Sequence, residues 1–255
     1  MPRIVTCFKW VVDQADIRLV PGSRQLSLDR AGYRISDYDR NAIEEGVRLQ
    51  EQYGGSTVVI TVGPPSAKKG LRDALSRGPE KAYFVSDPSF ENLEPSQTAS
   101  ILAAAIGPRI EYDLIICGEG SGDLYAQQVG PRLAEKLEIP CITYVSKLTI
   151  QNGEVIAERK VEDGIEVVAA PMPVLVTVLP EINVPRVPGL KDTLAASKKT
   201  VVEITAGDLG QTFPPCLETT SVLGTTMERN CVKFGAETSD ITRLVAALLK
   251  EGVIA

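Results

Sequence analysis

The chain has 255 residues, with 27 Lys and Arg against 33 Asp and Glu, a formal net charge of −6 at pH 7 and no histidine. That length suits one large domain with an appendage, or two small domains, and the acidic balance has the wrong sign for a nucleic-acid-binding surface. The missing histidine removes every histidine general base, every Ser-His-Asp or Cys-His site and every histidine-containing zinc site, and leaves acid–base chemistry to Asp, Glu, Lys or Cys.

No run approaches the roughly 18 apolar residues of a membrane span, so membrane insertion is not expected. Residues 1–5 read straight into a strand, without the pattern of a secretory leader. The five cysteines, Cys7, Cys117, Cys141, Cys216 and Cys231, are scattered and lack CxxC spacing. Cys7, Cys117 and Cys141 fall in or beside strand-like runs and are expected to be small buried apolar side chains, in a cytoplasmic, reducing setting.

Residues 3–8 open the chain as an apolar strand. A helix is expected over residues 37–53, with Ser36 or Asp37 as its N-cap and Gly54-Gly55 as its stop. Residues 56–62 are a β-branched strand, and residues 67–76 a helix closed by Gly78-Pro79. A short strand over residues 82–85 follows, then a helix capped by Ser96 that runs to residue 106. Residues 114–117 (Leu-Ile-Ile-Cys) are a buried strand, and the helix beyond it is expected to end near residue 137. Alternation of this kind implies a parallel sheet covered on both faces. Pro131 disturbs the last of these helices: it starts late or is distorted in its first turns, and either outcome leaves free N–H groups.

From residue 141 the pattern changes. Strand-like runs over 141–150, 154–161 and 165–170 are separated by Asn152-Gly153 and Asp163-Gly164, strong hairpin signals, so an antiparallel meander is expected. Residues 174–178 are another buried strand, 180–190 an irregular segment holding Pro180, Pro185 and Pro188, and 200–204 a final strand. Residues 211–230 are rich in Thr, Pro and Ser and read as an extended arm. Ile241, Leu244, Val245, Leu248 and Leu249 then mark one face of an amphipathic helix capped near Ser239. The division expected is a domain over residues 1–210 and, over 211–255, an arm and helix that need a surface to pack on, either the chain's own domain or, in the sharper reading, a partner subunit.

The stretch richest in chemistry is Gly118-Glu119-Gly120-Ser121-Gly122-Asp123, directly after the strand at 114–117. A glycine-rich loop between a strand and a helix lets backbone N–H groups approach a phosphate, with a helix N-terminus behind them. Its GxGxGD pattern follows the fourth strand, not the first, which disfavours a standard dinucleotide site, and no Walker A pattern is present. Ser36-Asp37-Tyr38-Asp39 stands at a helix start, where capping and the helix dipole need only one such residue. Cys7 and Val62 gain weight because ligands of open α/β sheets bind outside the carboxyl ends of the strands. The basic run from Lys191 to Lys199 reads either as a solvated helix or as a docking element with Leu190 or Leu194 as its apolar anchor.

Taken together these residues resemble the beta subunit of the electron transfer flavoproteins, in particular their Fix-type branch. The resemblance runs from Arg3 to about Gly210 and is weaker beyond. It is carried by Lys9, Asn41-Ala42-Ile43-Glu44-Glu45, Leu75-Ser76-Arg77-Gly78-Pro79 and the stretch from Gly118 to Gly130. Glu158-Arg159, Pro173-Val174-Leu175, Asn183-Val184-Pro185-Arg186, Lys198-Lys199 and Gly207-Asp208-Leu209-Gly210 complete it. The resemblance implies an α/β fold: a parallel, five-stranded adenine-nucleotide-binding sheet flanked by helices, with an added antiparallel meander and a C-terminal arm. It implies an electron-carrier subunit, not a catalyst of bond making, paired with an alpha subunit that carries the redox-active FAD. This subunit would hold AMP or a second FAD, and electron bifurcation with NADH would need the assembled complex. Carried over residue by residue, the nucleotide contacts would be Cys7, Ser36, Asp37, Tyr38, Asp39, Val62, Gly118, Glu119, Gly120, Ser121, Gly122, Asp123, Leu124, Tyr125, Ala126, Gln127, Gln128 and Val129. The bulky Leu124 and Tyr125 stand where the family commonly places a small or acidic residue after the Asp, and AMP and FAD both stay open. Docking to dehydrogenase or quinone oxidoreductase partners would use Leu190, Lys191 and Leu194. The alternative is an ATP-binding protein or enzyme on the same fold.

Overall fold

The computed structural model describes residues 1–225 and 231–254. Positions 226–230 of the expected arm, and Ala255, lie outside the described residues. The chain divides into two compact units, one made of Met1–Arg18 with Ser27–Ser221, the other of Leu19–Leu26 with the described part of Val222–Ala255.

The strands are β1 (Arg3–Cys7), β2 (Trp10–Val12), β3 (Arg18–Leu19), β4 (Leu26–Ser27), β5 (Tyr33–Ile35), β6 (Ser56–Gly63), β7 (Lys81–Ser86), β8 (Leu114–Gly118), β9 (Cys141–Gln151), β10 (Glu154–Val161), β11 (Gly164–Pro171), β12 (Val174–Val178) and β13 (Thr200–Ile204). The helices are α1 (Asp37–Tyr53), α2 (Lys69–Ser76), α3 (Pro95–Ile106), α4 (Val129–Leu137), α5 (Leu190–Ala196) and α6 (Thr238–Lys250).

Nine strands form one sheet in the order β11-β10-β9-β12-β8-β1-β6-β7-β13. From β9 to β13 neighbouring strands run parallel, while β10 is antiparallel to both β9 and β11. The fold is therefore the expected α/β arrangement, but its parallel part extends past the five strands the resemblance implies: β9 enters the meander while pairing parallel with β12. The first hairpin turn follows its signal. Asn152 and Gly153 both take positive φ (52° and 81°), the geometry of a two-residue turn matched to strand twist.

Alternation along the central strands sorts side chains between two layers. Val5, Ile115 and Leu175 pack with Ile101, Leu102, Ile106 and Leu133 of α3 and α4. Ile4, Leu114, Ile116 and Val176 face the other way and pack with Ala42 and Leu49 of α1. Both faces being buried explains why these strands read as continuous apolar runs.

Several local expectations are corrected. The N-cap of α3 is Glu94, with Pro95 and Ser96 already helical, and Glu94 and Gln97 form a reciprocal capping box. The N-cap of α6 is Glu237, not Ser239. A 3₁₀ turn over Pro65–Lys68 precedes α2. Cys7 and Cys117 are buried as expected, but Cys141, the first residue of β9, is exposed. No residue of α6 is buried, and its apolar stripe of Ile241, Leu244, Val245 and Leu249 is open. Among the described residues no helix is long and apolar enough to cross a membrane.

Candidate functional site

The parallel pairing of β8 and β1 places the carboxyl ends of two adjacent strands side by side, and α1 begins next to them. One side chain joins all three. Asp39, in the first turn of α1, is buried, and its carboxylate accepts the Lys9 N–H at 2.8 Å and the Gly118 N–H at 3.3 Å. Burial pushes this carboxyl up to about 7, against the opposing pull of those two N–H groups and of the Lys9 charge. Gly118 has to be glycine, because a Cβ there would stand 2.6 Å from Asp39 Oδ1 and 2.8 Å from Tyr38 Cβ. Behind this junction lie Cys7 and Cys117. Both are buried in the core, and the Cys117 thiol is pushed up by its hydrogen bond with Cys7 and by burial.

The glycine loop does not lead directly into a helix. The irregular segment of residues 124–128 intervenes, and α4 starts at Val129, so that Pro131 sits in its first turn, where a missing N–H costs little. The late start is the first of the two outcomes Pro131 allowed. The N–H groups of residues 126–130 have no acceptor among the described residues.

The rest of the loop is tied down from within. Gly122 N–H donates to Ser36 Oγ at 3.2 Å, so Ser36 stands at the N-cap position of α1 but spends its hydroxyl on the loop. Asp123 accepts the Leu124 N–H at 2.8 Å and the Ser121 hydroxyl, and it pairs with Lys9 Nζ at 2.6 Å. Burial pushes the Asp123 carboxyl up, but Lys9, Ser121 and Leu124 outweigh it and hold the group below the usual carboxylate range.

The Tyr125 hydroxyl donates to buried Glu119 at 2.8 Å, Gln127 donates to the same carboxylate, and the Tyr125 and Tyr38 rings lie 5.2 Å apart. Glycine is required at position 120, where a Cβ would meet the Tyr125 ring at 2.6 Å. Tyr125 and Gln127 both hold positive φ (47° and 57°), a backbone conformation costly for such residues and one that concentrates at binding loops.

Beside the loop is an open hollow of about 230 Å³, lined by Val11, Asp13, Gln14, Arg34, Ser36, Asp37 and Gly122 among others. Arg34 pairs with Asp37 at 2.5 Å and Asp13 at 3.5 Å, and its Nε is buried with no partner among the described residues. Gln14 donates to the Gly122 carbonyl.

The arrangement thus combines a glycine-rich turn, unclaimed backbone donors, a helix N-terminus and a polar hollow, all at the carboxyl edge of a parallel sheet. That is the chemistry of nucleotide binding. Residues 25–209 match the model of the electron transfer flavoprotein domain. The chain is also 39% identical, over 208 residues, to the electron transfer flavoprotein subunit beta of Thermoanaerobacterium thermosaccharolyticum, covering 81% of this chain and 80% of that one. The chain belongs to the electron transfer flavoprotein family.

Within this member of the electron transfer flavoprotein family, most of the expected nucleotide contacts converge. Ser36, Tyr38, Asp39 and the stretch from Gly118 to Gln127 form one connected network. Cys7 lies at the end of β1 beneath it. Asp37 turns instead toward Arg34 and Arg40, the latter at 3.2 Å. Val62, near the end of β6, packs on the core and makes no hydrogen bond to the loop. Leu124 projects into solvent. Lys9, Gln14 and Arg34 are site-lining residues that the expected set omits. Lys9 carried a signal, a cation immediately beyond the first apolar strand, but Arg34 carried none, since only the β2–β5 pairing brings it to the loop.

The expected docking residues lie elsewhere, and Asn41, Glu44, Glu45, Asn183 and Arg186, which helped carry the resemblance, form a clasp beside them. Asn41 Nδ2 donates to the Pro180 and Asn183 carbonyls at 3.0 and 2.8 Å, and Asn183 Nδ2 donates to the Asn41 carbonyl at 3.0 Å and Glu45 at 2.9 Å. Arg186 is held by Glu44 at 2.8 Å and Glu51 at 2.7 Å. Held this way, the segment exposes Val184 (89%), Val187 (92%) and Leu190 (78%), with Leu194 and Lys191 also open to solvent.

Proposed function

We propose that this chain is the beta subunit of a heterodimeric electron transfer flavoprotein and binds AMP or a second FAD at the carboxyl ends of β1 and β8. The observation that carries the reading is the run of unclaimed N–H groups at residues 126–130, set behind a glycine loop that Asp39 anchors. Cys7, Ser36 to Asp39, Val62 and Gly118 to Val129 form the nucleotide site, joined by the hollow beside Arg34. No side chain in it is set up to make or break covalent bonds: its acids are spent on backbone, lysine, tyrosine or arginine partners. The subunit therefore works by binding and shaping. The redox chemistry comes from FAD carried by an alpha subunit, and a second FAD in the present site would let the complex take a hydride from NADH.

In this reading Leu190, Lys191 and Leu194 meet dehydrogenase or quinone oxidoreductase partners. Residues 211–255 pack on the alpha subunit, which would cover the open apolar stripe of α6. The unpaired cysteines agree with work in the cytoplasm.

Co-expression with an alpha subunit, followed by extraction and chromatography of the bound nucleotides, tests the assignment. The expected yield is one FAD with one AMP, or two FAD, per heterodimer. ATP or ADP as the extracted nucleotide would overturn it. So would robust NADH oxidation by the isolated chain, which is expected to bind an adenine nucleotide and turn over no flavin.

A further inference from the structure

Lys9 occupies an unusual position. Its backbone N–H is fixed by buried Asp39, so the residue is anchored at the mouth of the crevice while its side chain reaches across to the loop. The ammonium meets Asp123 Oδ2 at 2.6 Å, and neither side chain is buried, at 42% and 30% exposure. Ion pairs this open to water are weak and easily exchanged. Asp123 is itself a puzzle. A carboxylate on the rim of a loop with free N–H groups would repel any anion those groups held. Nearby, Arg34 pairs with Asp37 and Asp13 and its one unpartnered nitrogen, Nε, is buried, while Arg132 donates to the Gln128 side chain at 3.1 Å.

We propose that Lys9 is the phosphate-selecting residue of this site, held by Asp123 in the free protein and handed to the phosphate of a bound nucleoside phosphate. Asp123 is then the competing anion that sets the affinity. The transfer moves no covalent bond: a lysine–carboxylate contact is exchanged for a lysine–phosphate contact. The inference rests on the nucleotide reading above, and it assigns roles that a simple binding-loop picture does not. Asp123 opposes nucleotide phosphate instead of binding it, and Lys9 distinguishes a nucleotide from its nucleoside.

Calorimetric titration of the full chain with AMP and with adenosine, at low salt, tests this in wild type, Asp123→Asn, Lys9→Met, Lys9→Arg and the Lys9→Met/Asp123→Asn pair. Melting temperatures establish that each variant is folded. Asparagine at 123 still accepts the Leu124 N–H, and methionine at 9 keeps the backbone bond to Asp39. Asp123→Asn is expected to tighten AMP by roughly 2- to 5-fold and leave adenosine unchanged, the size of a partly exposed ion pair released. Lys9→Met is expected to weaken AMP by about 10-fold with no change for adenosine, and to shrink the gain from Asp123→Asn to what relief of phosphate repulsion alone supplies. Lys9→Arg keeps most of the affinity. Weaker binding of both ligands in Asp123→Asn would make Asp123 a ribose acceptor and overturn the proposal, as would equal losses for AMP and adenosine in Lys9→Met. Wild type that bound neither AMP nor FAD would instead sink the nucleotide reading, and this proposal with it.

Discussion

Asp39 gives the sharpest test of the site's electrostatics. Its folded carboxyl titrates near 7, against 3.8 for the free side chain. At about 1.4 kcal/mol per pH unit of difference, the ionised group costs the fold about 4 kcal/mol above pH 7. Because the folded value is raised, the folded state keeps a proton that the unfolded chain has lost between about pH 4 and pH 7. The cost is absent below pH 4, grows as pH rises through that window and is complete above pH 7. Asp39→Asn removes it: the amide oxygen still accepts the Lys9 N–H, while the amide NH₂, a donor, leaves the Gly118 N–H without its acceptor, a loss that does not change with pH. The assay is urea denaturation of wild type and variant from pH 4.5 to pH 8.5. The stability of wild type relative to Asp39→Asn is expected to fall by several kcal/mol across that range. Parallel curves, with a constant difference between the two proteins, would refute the reasoning and mean that the carboxylate is fully compensated by its two N–H donors and Lys9.

Three further outcomes follow from packing and hydrogen bonding. Gly118→Ala drives a methyl into Asp39 and Tyr38, and is expected to destabilise by about 1–3 kcal/mol and to lower nucleotide affinity together with stability, read by melting and by titration with AMP. Leu133→Ala, at a fully buried position between α4 and the sheet, is expected to cost about 2–5 kcal/mol in chemical denaturation while AMP affinity at saturating stability stays the same. Asn183→Ala removes the side-chain bonds to Asn41 and Glu45 while keeping the Asn183 carbonyl, at a cost of about 1–3 kcal/mol, and amide hydrogen exchange over residues 184–190 is expected to quicken more than exchange in the central strands.

The sequence carried the elements well and their meeting points less well. Continuous apolar runs such as Leu114 to Cys117 reveal a strand buried on both faces, and Asn152-Gly153 announces its turn. Such signals are local. The order of the sheet is not, and nothing between residues 141 and 178 says that β12 returns to separate β9 from β8. Ser36 shows the same limit in the site. Its position at the head of α1 was legible, but which N–H its hydroxyl accepts depended on a loop 86 residues away. Ser96 and Ser239 misled for a related reason: serine favours caps, yet Glu94 and Glu237 stand at the ends of the regular backbone. Cys141 is exposed because the first residue of a strand entering from a turn lacks the cover its neighbours receive.

The anchoring of the site by Asp39 also fixes when the site can exist. Its carboxylate joins residues 30 and 79 positions away along the chain. Contacts so distant in sequence form late, after the entropy of closing the intervening loops has been overcome. A ribosome-bound or truncated chain that ends before β8 contains the helix start, the lysine and the first strand, yet has no crevice. Nucleotide capture is then a marker of completed assembly, and a ligand present during refolding speeds none of the early steps; it holds the last one.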